Sequence, residues 1–357
     1  MTARRLPEIE VVDSNATRVL IVDDSAVARA ILTRLCEESG DEAGDVVVAG
    51  AVGNASAAIA LLAHTRVDIV LLDIDMPGTD GLTALPDLIR AASGARVLVV
   101  SARAAEGGAA AVQAMALGAA DTLAKPEAGG ALKEFAAGLR ERIARLGEMP
   151  PSQPADPAPA SVAIPQLAPF DLIAIAASTG GIHALSRLLR EVPLAMDAPI
   201  LITQHLPASF MPYFAAQVAL LAGRPCAVAA DGAPVQPGRI LIAPGDAHLG
   251  VARGRGGLNV RLTREAAPSG CLPSADPMFD SVARVCKDTA LGVTLSGMGR
   301  DGAIGARALV AAGGQLLAQD AASSVVWGMP GAVADGVACA VLPPDAIGRA
   351  IAKAAGR

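Results

Sequence analysis

Apolar, β-branched runs, several of which end at a polar residue, constrain the fold of this 357-residue chain more than any other feature. Segments with helical periodicity separate consecutive runs. Strands that are apolar throughout, with helices between them, are typical of parallel sheets covered by helices on both faces. The sequence therefore predicts an α/β chain whose functional side chains lie just beyond the carboxyl ends of its strands. The runs expected to form strands are 18–22, 46–49, 69–72, 97–100 and 122–124 in the first half, and 172–176, 200–203, 239–242, 291–295, 315–318 and 337–341 in the second.

A proline-rich segment divides the chain. Residues 148–170 contain seven prolines, which remove amide donors and favour an extended polyproline II conformation. Just before it, apolar residues recur with helical spacing over 130–146, which predicts a helix that closes the first domain. The expected organisation is a tail over 1–16, a first domain over 17–147, a linker over 148–169 and a second domain over 170–357.

Composition excludes several classes of protein. Although 52% of the residues are hydrophobic, the longest stretch without Asp, Glu, Lys or Arg, 198–223, contains Gln204, His205 and three prolines, which argues against a membrane-spanning helix. The N-terminus has no apolar segment typical of a secretory signal. A net charge of −6 with 2% aromatic residues does not favour nucleic-acid binding. We therefore expect a cytoplasmic protein with no membrane insertion and no nucleic-acid partner.

The cysteines do not indicate a metal centre or crosslinks. There are five, an odd number, and no CxxC pair occurs, which argues against a zinc site and against a disulfide framework. We expect them to behave as small buried hydrophobic residues. They are Cys36, Cys226, Cys271, Cys286 and Cys339.

Acidic residues follow two predicted strands of the first half. Asp23 and Asp24 come after 18–22 and Asp73 comes after 69–72, so these carboxylates are expected to converge at one edge of a parallel sheet. Converging carboxylates repel one another unless a cation neutralises them, and Mg²⁺ prefers such oxygen ligands. A carboxylate beside Mg²⁺ is a suitable phosphoryl acceptor.

Two further strand ends complete this predicted phosphoryl site. Lys125 follows 122–124, where its charge would stabilise a transferring phosphoryl group. Ser101 follows 97–100, where its hydroxyl would donate a hydrogen bond to a phosphoryl oxygen. The ordered set of polar residues at successive strand ends favours a functional site over independent structural roles.

Each acidic residue taken alone also has a structural interpretation. Asp23 and Asp24 could cap a helix that starts at Ala26. A second group could be turn residues around a Pro-Gly pair, namely Asp73, Asp75 and Asp80.

The first half resembles a response-regulator receiver domain. The matching text is VLIVDDSAVAR, LLDIDMPGTDGL, VVSA and AKP, within roughly 17–130. The resemblance implies a flavodoxin-like, doubly wound, five-stranded parallel sheet and phosphorylation of Asp73 by a chemotaxis histidine kinase. It also implies Mg²⁺ held by Asp23, Asp24, Asp73 and the backbone carbonyl of Asp75. Receivers usually carry an aromatic switch residue three positions before the lysine, where this chain has Thr122, so the readout of phosphorylation is expected to differ.

A second set of polar residues lies at strand ends of the other half. Ser178 stands in a Ser-Thr-Gly-Gly turn between a strand and a helix, where a hydroxyl is exposed and glycines admit other backbone closely. His205 ends the next apolar run, and Asp301 lies in a glycine-rich loop after a third. The three predict a Ser-His-Asp triad in which Asp301 accepts a hydrogen bond from His205 Nδ1.

Each member of this triad also has a simpler interpretation. Ser178 alone could be a helix cap, and Asp301 alone could cap a helix before Ala303. A phosphate-binding loop is disfavoured, since neither GxGxxG nor GxxxxGK[ST] is present. His248, in a predicted loop, is the second candidate for the base. His64 precedes a strand of the first half and so lies on the wrong domain, while His183, on the helix after Ser178, is interpreted as structural.

Backbone amides complete the predicted hydrolytic site. The N–H groups of Thr179 and Met298 are close in sequence to Ser178 and Asp301, and we assign them as oxyanion donors. Four more residues are expected to form cleft wall or core, namely Ser274, Asp276, Trp327 and Met329.

The second half resembles the catalytic domain of chemotaxis protein-glutamate methylesterases of the CheB type. The matching segments are IAIAASTGGIHAL, QHLPASF, PGRILIAPGDAHL, PSADPMFDSVA, SGMGRDGAIGA, AQDAASSVVWGMP and VLPPDAI, within roughly 170–352. A receiver joined by a linker is the architecture of the same family. The resemblance implies an α/β domain with a mostly parallel sheet, in which Ser178 is the nucleophile, His205 the base and Asp301 the orienting acid, without a cofactor for the esterase.

The same resemblance implies an activity. It is a phosphorylation-activated hydrolase that removes γ-methyl esters from glutamates, and deamidates glutamines, on methyl-accepting chemoreceptors. Family members commonly have a histidine where this chain has Cys271, a departure that bears on substrate contacts and leaves the triad in place.

Two other functions fit the same residues. The second domain could be a binding module that keeps the fold without the chemistry, or an esterase that acts on a receptor outside chemotaxis. The complete set of Ser178, His205 and Asp301 disfavours the binding module. The sequence does not separate the two classes of receptor, because recognition depends on surface fit.

Overall fold

The structure is a computed structural model that describes residues 16–38, 46–76, 80–102, 108–126, 132–147 and 163–356. Most of the predicted tail and most of the predicted linker lie outside the described residues, so the domain boundaries stay predictions. In the described part of the chain, no helix combines the length and the apolarity needed to cross a bilayer.

The first half forms a five-stranded parallel sheet in the order β2-β1-β3-β4-β5, as expected. Helices lie on both of its faces. The helices α2, α3 and α4 share one apolar cluster, while α1 and α5 share the other. The strands are β1 (Thr17–Val22), β2 (Val46–Val52), β3 (Ile69–Leu72), β4 (Arg96–Ser101) and β5 (Asp121–Ala124), and the helices are α1 (Ala26–Glu37), α2 (Ala55–Leu62), α3 (Gly81–Ala91), α4 (Gly108–Leu117) and α5 (Leu132–Gly147).

The second half contains a seven-stranded parallel sheet in the order β14-β13-β12-β6-β7-β9-β8. Its strands are β6 (Leu172–Ala177), β7 (Ile200–Gln204), β8 (Cys226–Val228), β9 (Ile240–Ile242), β12 (Ala290–Thr294), β13 (Gln315–Gln319) and β14 (Ala340–Leu342). The remaining strands, β10 (His248–Gly254) and β11 (Gly257–Thr263), form an antiparallel hairpin that the sequence did not predict.

Helices again cover both faces of this sheet. The helices α6, α7 and α11 pack with one apolar cluster, and α8, α9 and α10 with the other. They are α6 (Gly181–Glu191), α7 (Met211–Ala222), α8 (Ala275–Cys286), α9 (Ala303–Ala311), α10 (Gly331–Ala334) and α11 (Pro344–Ala355). The predicted α/β architecture of both halves is therefore confirmed.

Helix α4 of the first half packs against α6 and α7 of the second. Val112 and Ala116 are buried in the apolar cluster of the second half. The ring of Tyr213 lies so close to Gly108 that a Cβ at this glycine would be 2.6 Å from it. His183 Nδ1 donates to the Ala116 carbonyl over 3.1 Å, and burial lowers the pKa of His183. His183 is thus a contact residue between the two halves.

The turn between β6 and α6 requires glycine at 180. Gly180 has φ +75°, a conformation that side chains rarely adopt. A Cβ there would also lie 2.5 Å from Val325 Cβ and 2.8 Å from Ser296 Oγ. The close approach of these neighbours fixes the path of the backbone that carries Ser178.

Gly180→Ala is expected to destabilise the second half by roughly 1–3 kcal/mol more than Gly232→Ala, because overpacking adds to backbone strain. Gly232 is a matched control, since it has the same φ of +75° and a Cβ added there would meet nothing within 4 Å. Urea unfolding followed by fluorescence of the chain's single tryptophan, Trp327, measures both. Equal losses in the two variants would contradict the close packing at Gly180.

Candidate active site

Three adjacent strands bring the predicted triad together. The order β12-β6-β7 places the carboxyl ends of these parallel strands side by side. Ser178 follows β6 directly and His205 follows β7 directly, while Asp301 lies in the loop between β12 and α9. The sheet topology therefore explains why His205 and Asp301, which are 96 positions apart in sequence, meet at one edge.

Asp301 and His205 form the central contact of this edge. His205 Nε2 lies 2.9 Å from Asp301 Oδ2, and the Asp301 side chain is 1% exposed. The expectation that Nδ1 of His205 faces Asp301 is wrong, because the ring nitrogen that contacts the carboxylate is Nε2. Among the described residues, Nδ1 of His205 makes no hydrogen bond.

Asp301 is held by further donors that the sequence did not reveal. Ser274 Oγ donates to Oδ1 over 2.5 Å, and the Ala275 N–H donates to Oδ2 over 2.7 Å. Burial alone would raise the pKa of Asp301, but hydrogen bonds from His205, Ser269, Ser274 and the Ala275 amide outweigh it and lower the pKa to about 2. Asp301 is therefore a buried carboxylate that stays ionised.

Ser178 is fixed through its backbone rather than its hydroxyl. Its N–H donates to Ser296 O over 3.0 Å, and its carbonyl accepts from Gln204 Nε2 over 2.9 Å. Helix α6 is capped by Gly180 without a side-chain hydrogen bond, so the interpretation of Ser178 as a cap is wrong. The interpretation of Asp301 as a cap is also wrong, since Gly302 occupies that position of α9.

Ser178 and His205, the predicted nucleophile and base, follow paired strand ends without a hydrogen bond between their side chains. Among the described residues, no hydrogen bond joins Ser178 Oγ to the His205 ring. Catalytic hydrogen bonds are often long or poorly aligned before substrate binds, and a change of the Ser178 rotamer moves only one oxygen atom. Gln204, which positions Ser178, was not recognised in the sequence because its role depends on the neighbouring strand.

The two predicted oxyanion amides lie beside this edge. Within the described part of the chain, neither the Thr179 N–H nor the Met298 N–H donates to a protein acceptor. The Thr179 carbonyl accepts from Ser296 Oγ over 2.7 Å, which orients that peptide. Met298 is 42% exposed and lines a cavity of about 360 Å³ together with Asp301. Their roles as oxyanion donors stay predictions.

His248 is a structural residue and not an alternative base. It starts β10 rather than lying in a loop, and it is 2% exposed. Its Nδ1 accepts from the Ser274 N–H over 2.8 Å, which leaves Nε2 to donate to Glu265 O over 2.7 Å. His248 thereby positions Ser274, which in turn holds Asp301.

The other residues expected in the cleft wall have defined contacts. Asp276 accepts from the Ile304 and Gly305 amides and so caps α9 from outside that helix. Trp327 is 43% exposed, and its Nε1 donates to Gln319 O over 3.0 Å. Met329 is fully buried, where its sulfur lies against Gly297.

Cys271 lies at the active site. A ligand atom from each of His205, Cys271 and Asp301 falls within 4.8 Å of the others. Burial, with the charge of Asp301, raises the pKa of the Cys271 thiol. The expectation of buried cysteines is therefore only partly met: Cys36 and Cys286 are buried, Cys226 and Cys271 are half-buried, and Cys339 is exposed.

The acidic residues of the first half also converge as predicted. One carboxylate oxygen from each of Asp23, Asp24 and Asp73 lies within 4.8 Å of the others. Lys125 Nζ donates to Asp23 Oδ2 over 2.7 Å and to Asp73 Oδ2 over 2.5 Å. Burial raises the pKa of Asp73, and the charge of Asp23 adds to this. For Lys125, burial lowers the pKa, but its two carboxylate partners outweigh that effect and the pKa is raised.

This donor set fits Mg²⁺. One ammonium group faces three carboxylates, so the cluster keeps an excess of negative charge on oxygen ligands, which Mg²⁺ prefers. Asp24 is exposed, which leaves a path for an ion. The assignment of Asp23, Asp24, Asp73 and Asp75 as ligands stays a prediction.

Ser101 and Asp75 contact each other at the same edge. Ser101 Oγ donates to Asp75 Oδ2 over 2.7 Å. The interpretation of Asp23 and Asp24 as caps of α1 is wrong, because Ser25 caps that helix. Asp80 does cap α3, through a hydrogen bond from the Leu82 amide. Thr122, the departure from the receiver pattern, lies half-buried in β5.

Comparison with known proteins agrees with both halves. The sequence profile of the family described as CheB methylesterase matches residues 173–351, and that of the response regulator receiver domain matches 19–137. A Caulobacter vibrioides protein named protein-glutamate methylesterase/protein-glutamine glutaminase 2 is 42% identical over 347 residues, which cover 95% of this chain and 99% of that protein. An Azospirillum brasilense protein of the corresponding name is 40% identical and covers 95% of this chain and 93% of its own length.

A solved structure agrees with the second half. The Thermotoga maritima CheB methylesterase catalytic domain superposes with a TM-score of 0.50 at 32% sequence identity, covering 52% of this chain and 98% of that domain. The profile match, the relatives and the strand-edge geometry agree on one assignment. The chain belongs to the CheB methylesterase family and carries a response regulator receiver domain in its first half.

Proposed function

We propose that this chain is a cytoplasmic, phosphorylation-activated hydrolase that removes methyl esters from glutamate side chains of chemoreceptors and deamidates glutamines there. The single observation that carries the chemistry is the hydrogen bond between the half-buried His205 and the buried Asp301, at the sheet edge that also carries Ser178. Relatives at about 40% identity over nearly the whole chain bear the names of both activities. A domain that only binds a partner has no need of an ionised, buried aspartate paired with a histidine.

The proposed reaction is acyl transfer through Ser178. Its Oγ attacks the ester carbonyl while His205 accepts the hydroxyl proton, and Asp301 stabilises the resulting imidazolium. The proton then passes to the leaving methoxide, so methanol departs and an acyl-enzyme remains. Water attacks this ester with His205 again as base, which releases the glutamate and restores Ser178. For a glutamine the same steps release ammonia.

The amides of Thr179 and Met298 are proposed to bind the oxyanion of each tetrahedral intermediate. Thr179 immediately follows Ser178, a position from which a backbone amide can reach an oxyanion formed at Ser178 Oγ. Met298 lies on the facing loop that also carries Asp301. The donors are thus fixed by the turns that follow β6 and β12.

The receiver is proposed to control access to this edge. Its helix α4 packs on α6, whose first residue follows the Ser178 turn, and on α7, which follows His205. A kinase-derived phosphoryl group on Asp73 adds negative charge next to Lys125 and Ser101, and Mg²⁺, when bound, supplies the positive charge that neutralises it. A shift of the receiver that loosens α4 from α6 and α7 would then open the cleft.

Ser178→Ala is expected to reduce methanol release from methylated receptor membranes by on the order of 10⁴-fold or more, because the nucleophile is removed. Trp327 fluorescence should be unchanged, since the Ser178 hydroxyl caps no helix. Ser56→Ala, an exposed serine of α2, is the matched control and should keep full activity. An active Ser178→Ala enzyme would contradict the assignment.

Asp73→Asn is expected to abolish the stimulation of methanol release by a small-molecule phosphodonor, because an amide cannot accept the phosphoryl group. The basal rate without phosphodonor should remain measurable, as the hydrolytic residues are untouched. Asp87→Asn, at an exposed position of α3, is the control and should respond like the wild type. Stimulation that survives Asp73→Asn would place the switch elsewhere.

The ionised state of Asp301 predicts a pH-dependent contribution to stability. Its pKa falls from 3.8 unfolded to about 2 folded, so the stabilisation is fully present above the unfolded pKa and disappears as the pH falls through the folded value. The ionised Asp301 contributes roughly 2 kcal/mol to the free energy of unfolding, of which about 1 kcal/mol is lost between about pH 6 and about pH 3.

The measurement compares the wild type with Asp301→Asn by urea unfolding, followed through Trp327, at several pH values in this window. The difference in free energy of unfolding between them should shrink as the pH falls. Asp335→Asn, an exposed substitution in the same domain, is the control, and its free energy of unfolding should depend on pH as that of the wild type does. A difference that stays constant with pH would show that Asp301 is not held as an anion.

A further inference from the structure

The active-site edge contains a set of side chains able to bind a metal, one of which, Cys271, has no part in the proposed reaction. His205, Cys271 and Asp301 each offer a ligand atom, and these atoms all lie within 4.8 Å of one another. They come from three places in the chain: the end of β7, the segment before α8 and the loop before α9. An imidazole, a thiol and a carboxylate are side chains that Zn²⁺ binds in proteins. A search for closely spaced cysteines could not find this set, because each of its residues comes from a different element.

The separations suit a tetrahedral ion after small movements. Zinc bonds of about 2.0–2.3 Å place ligand atoms about 3.3–3.8 Å apart. All three ligand atoms lie within 4.8 Å of one another, so the longest separation closes by at most roughly 1.5 Å. His205 Nε2 and Asp301 Oδ2, now 2.9 Å apart, move slightly further apart. Cys271 lies on a half-buried segment and the His205 side chain is 18% exposed, which gives both room to adjust. Asp301 is the fixed member of the set.

The surroundings of Asp301 resemble the supporting contacts of metal ligands. Ser274 Oγ and the Ala275 amide orient its two oxygens, and His248 positions Ser274 in turn. Cys271 and Asp301 both line the cavity of about 360 Å³, which gives an ion a path from solvent. Three protein ligands around an accessible cavity leave the fourth position to water.

We propose that Cys271, His205 and Asp301 bind a zinc-type divalent cation, and that this cation inhibits the esterase by occupying the base. On binding, the Cys271 thiol transfers its proton to solvent and its sulfur bonds to the metal, without any redox change. His205 binds the metal through Nε2, which gives up its hydrogen bond to Asp301 while the ring proton moves to Nδ1. With its proton on Nδ1, the ring can no longer accept the proton of Ser178. The inhibition rests on the proposed function, whereas the binding does not.

The ligand types separate this site from the acidic cluster of the receiver. Thiolate and imidazole favour Zn²⁺ and Co²⁺, while the carboxylates of Asp23, Asp24 and Asp73 favour Mg²⁺. The same chain therefore holds two cation sites of opposite preference at the edges of its two sheets. The proposal predicts that Mg²⁺ leaves the His205 site vacant at concentrations that support phosphorylation.

Binding is tested on the full chain, freed of metal by a chelator and titrated with Co²⁺. We expect a near-ultraviolet thiolate-to-Co²⁺ charge-transfer band that saturates at one ion per chain. The band should vanish in Cys271→Ser and persist in Cys339→Ser, which removes an exposed cysteine outside the set. Co²⁺ bound only by carboxylates gives no such band, so the receiver cluster does not interfere. Absence of the band in the wild type, or its survival in Cys271→Ser, would overturn the site.

Inhibition is tested by methanol release during a Zn²⁺ titration, with each variant normalised to its own rate in chelator. The Zn²⁺ concentration for half inhibition should rise at least about 10-fold in Cys271→Ser and stay unchanged in Cys339→Ser. Equal inhibition of all three proteins would show that Zn²⁺ acts elsewhere. If the metal-free wild type released no methanol, the proposed function would fail, while the Co²⁺ band would still decide the binding site.

Discussion

A buried carboxylate that remains ionised is the constraint on which the second half of this protein depends. Asp301 is 2% exposed, an environment that ordinarily favours the neutral acid. Donors from His205, Ser274 and the Ala275 amide reverse that preference. The charge is therefore maintained by the hydrogen bonds around Asp301, and it lies against the His205 ring.

The two halves stabilise buried carboxylates at a sheet edge in different ways. In each, parallel strands deliver polar side chains to one edge of a sheet, where like or buried charges would be unfavourable. The receiver partly neutralises its carboxylates with Lys125, whose ammonium contacts two of them. The negative charge that remains suits Mg²⁺. The hydrolase domain stabilises a single carboxylate with neutral donors and an imidazole. One site can accept a phosphoryl group, and the other can promote proton transfer.

The contact between the halves involves the helices that follow the Ser178 and His205 turns. Helix α4 presents Val112 and Ala116 to the apolar cluster under α6 and α7, so the receiver is packed on the helices that begin just after the Ser178 and His205 turns. The hydrogen bond from His183 to the Ala116 carbonyl requires a proton on Nδ1, while burial lowers the pKa of the ring. A movement of α4 would therefore act first on the helices that follow Ser178 and His205.

Much of the fold could be predicted from the sequence because its strands are apolar throughout. The run 172–176 corresponds to β6 (Leu172–Ala177), and the polar residues after such runs reach the predicted edge. The hairpin β10–β11 was not predicted, because strands were expected to be apolar throughout and its second strand alternates polar and apolar residues. Strand β8 was not predicted either, because its three residues are too few to form a recognisable apolar run. Strand β14 (Ala340–Leu342) begins later than the predicted 337–341, since apolar character alone does not mark where pairing starts.

The sequence could predict which residues belong to the site, but not which atoms of those residues contact one another. Ser274 was assigned only to the cleft wall, yet it donates to an aspartate 27 positions away, a relation that no local pattern carries. The ring orientation of His205 depends on a rotamer, so its Nε2 contact could not be read from spacing. The set of His205, Cys271 and Asp301 was missed because metal motifs are recognised by short spacings, whereas these ligands come from separate elements.

The central claim is that Ser178 is an activated nucleophile whose exposure the receiver controls. The most direct measurement is labelling of the full chain by a fluorophosphonate, with mass spectrometric identification of the modified residue and timing with and without a phosphodonor. The account predicts a label on Ser178 that forms faster once Asp73 is phosphorylated. A label on another residue, or a Ser178 labelling rate indifferent to phosphorylation, would contradict it.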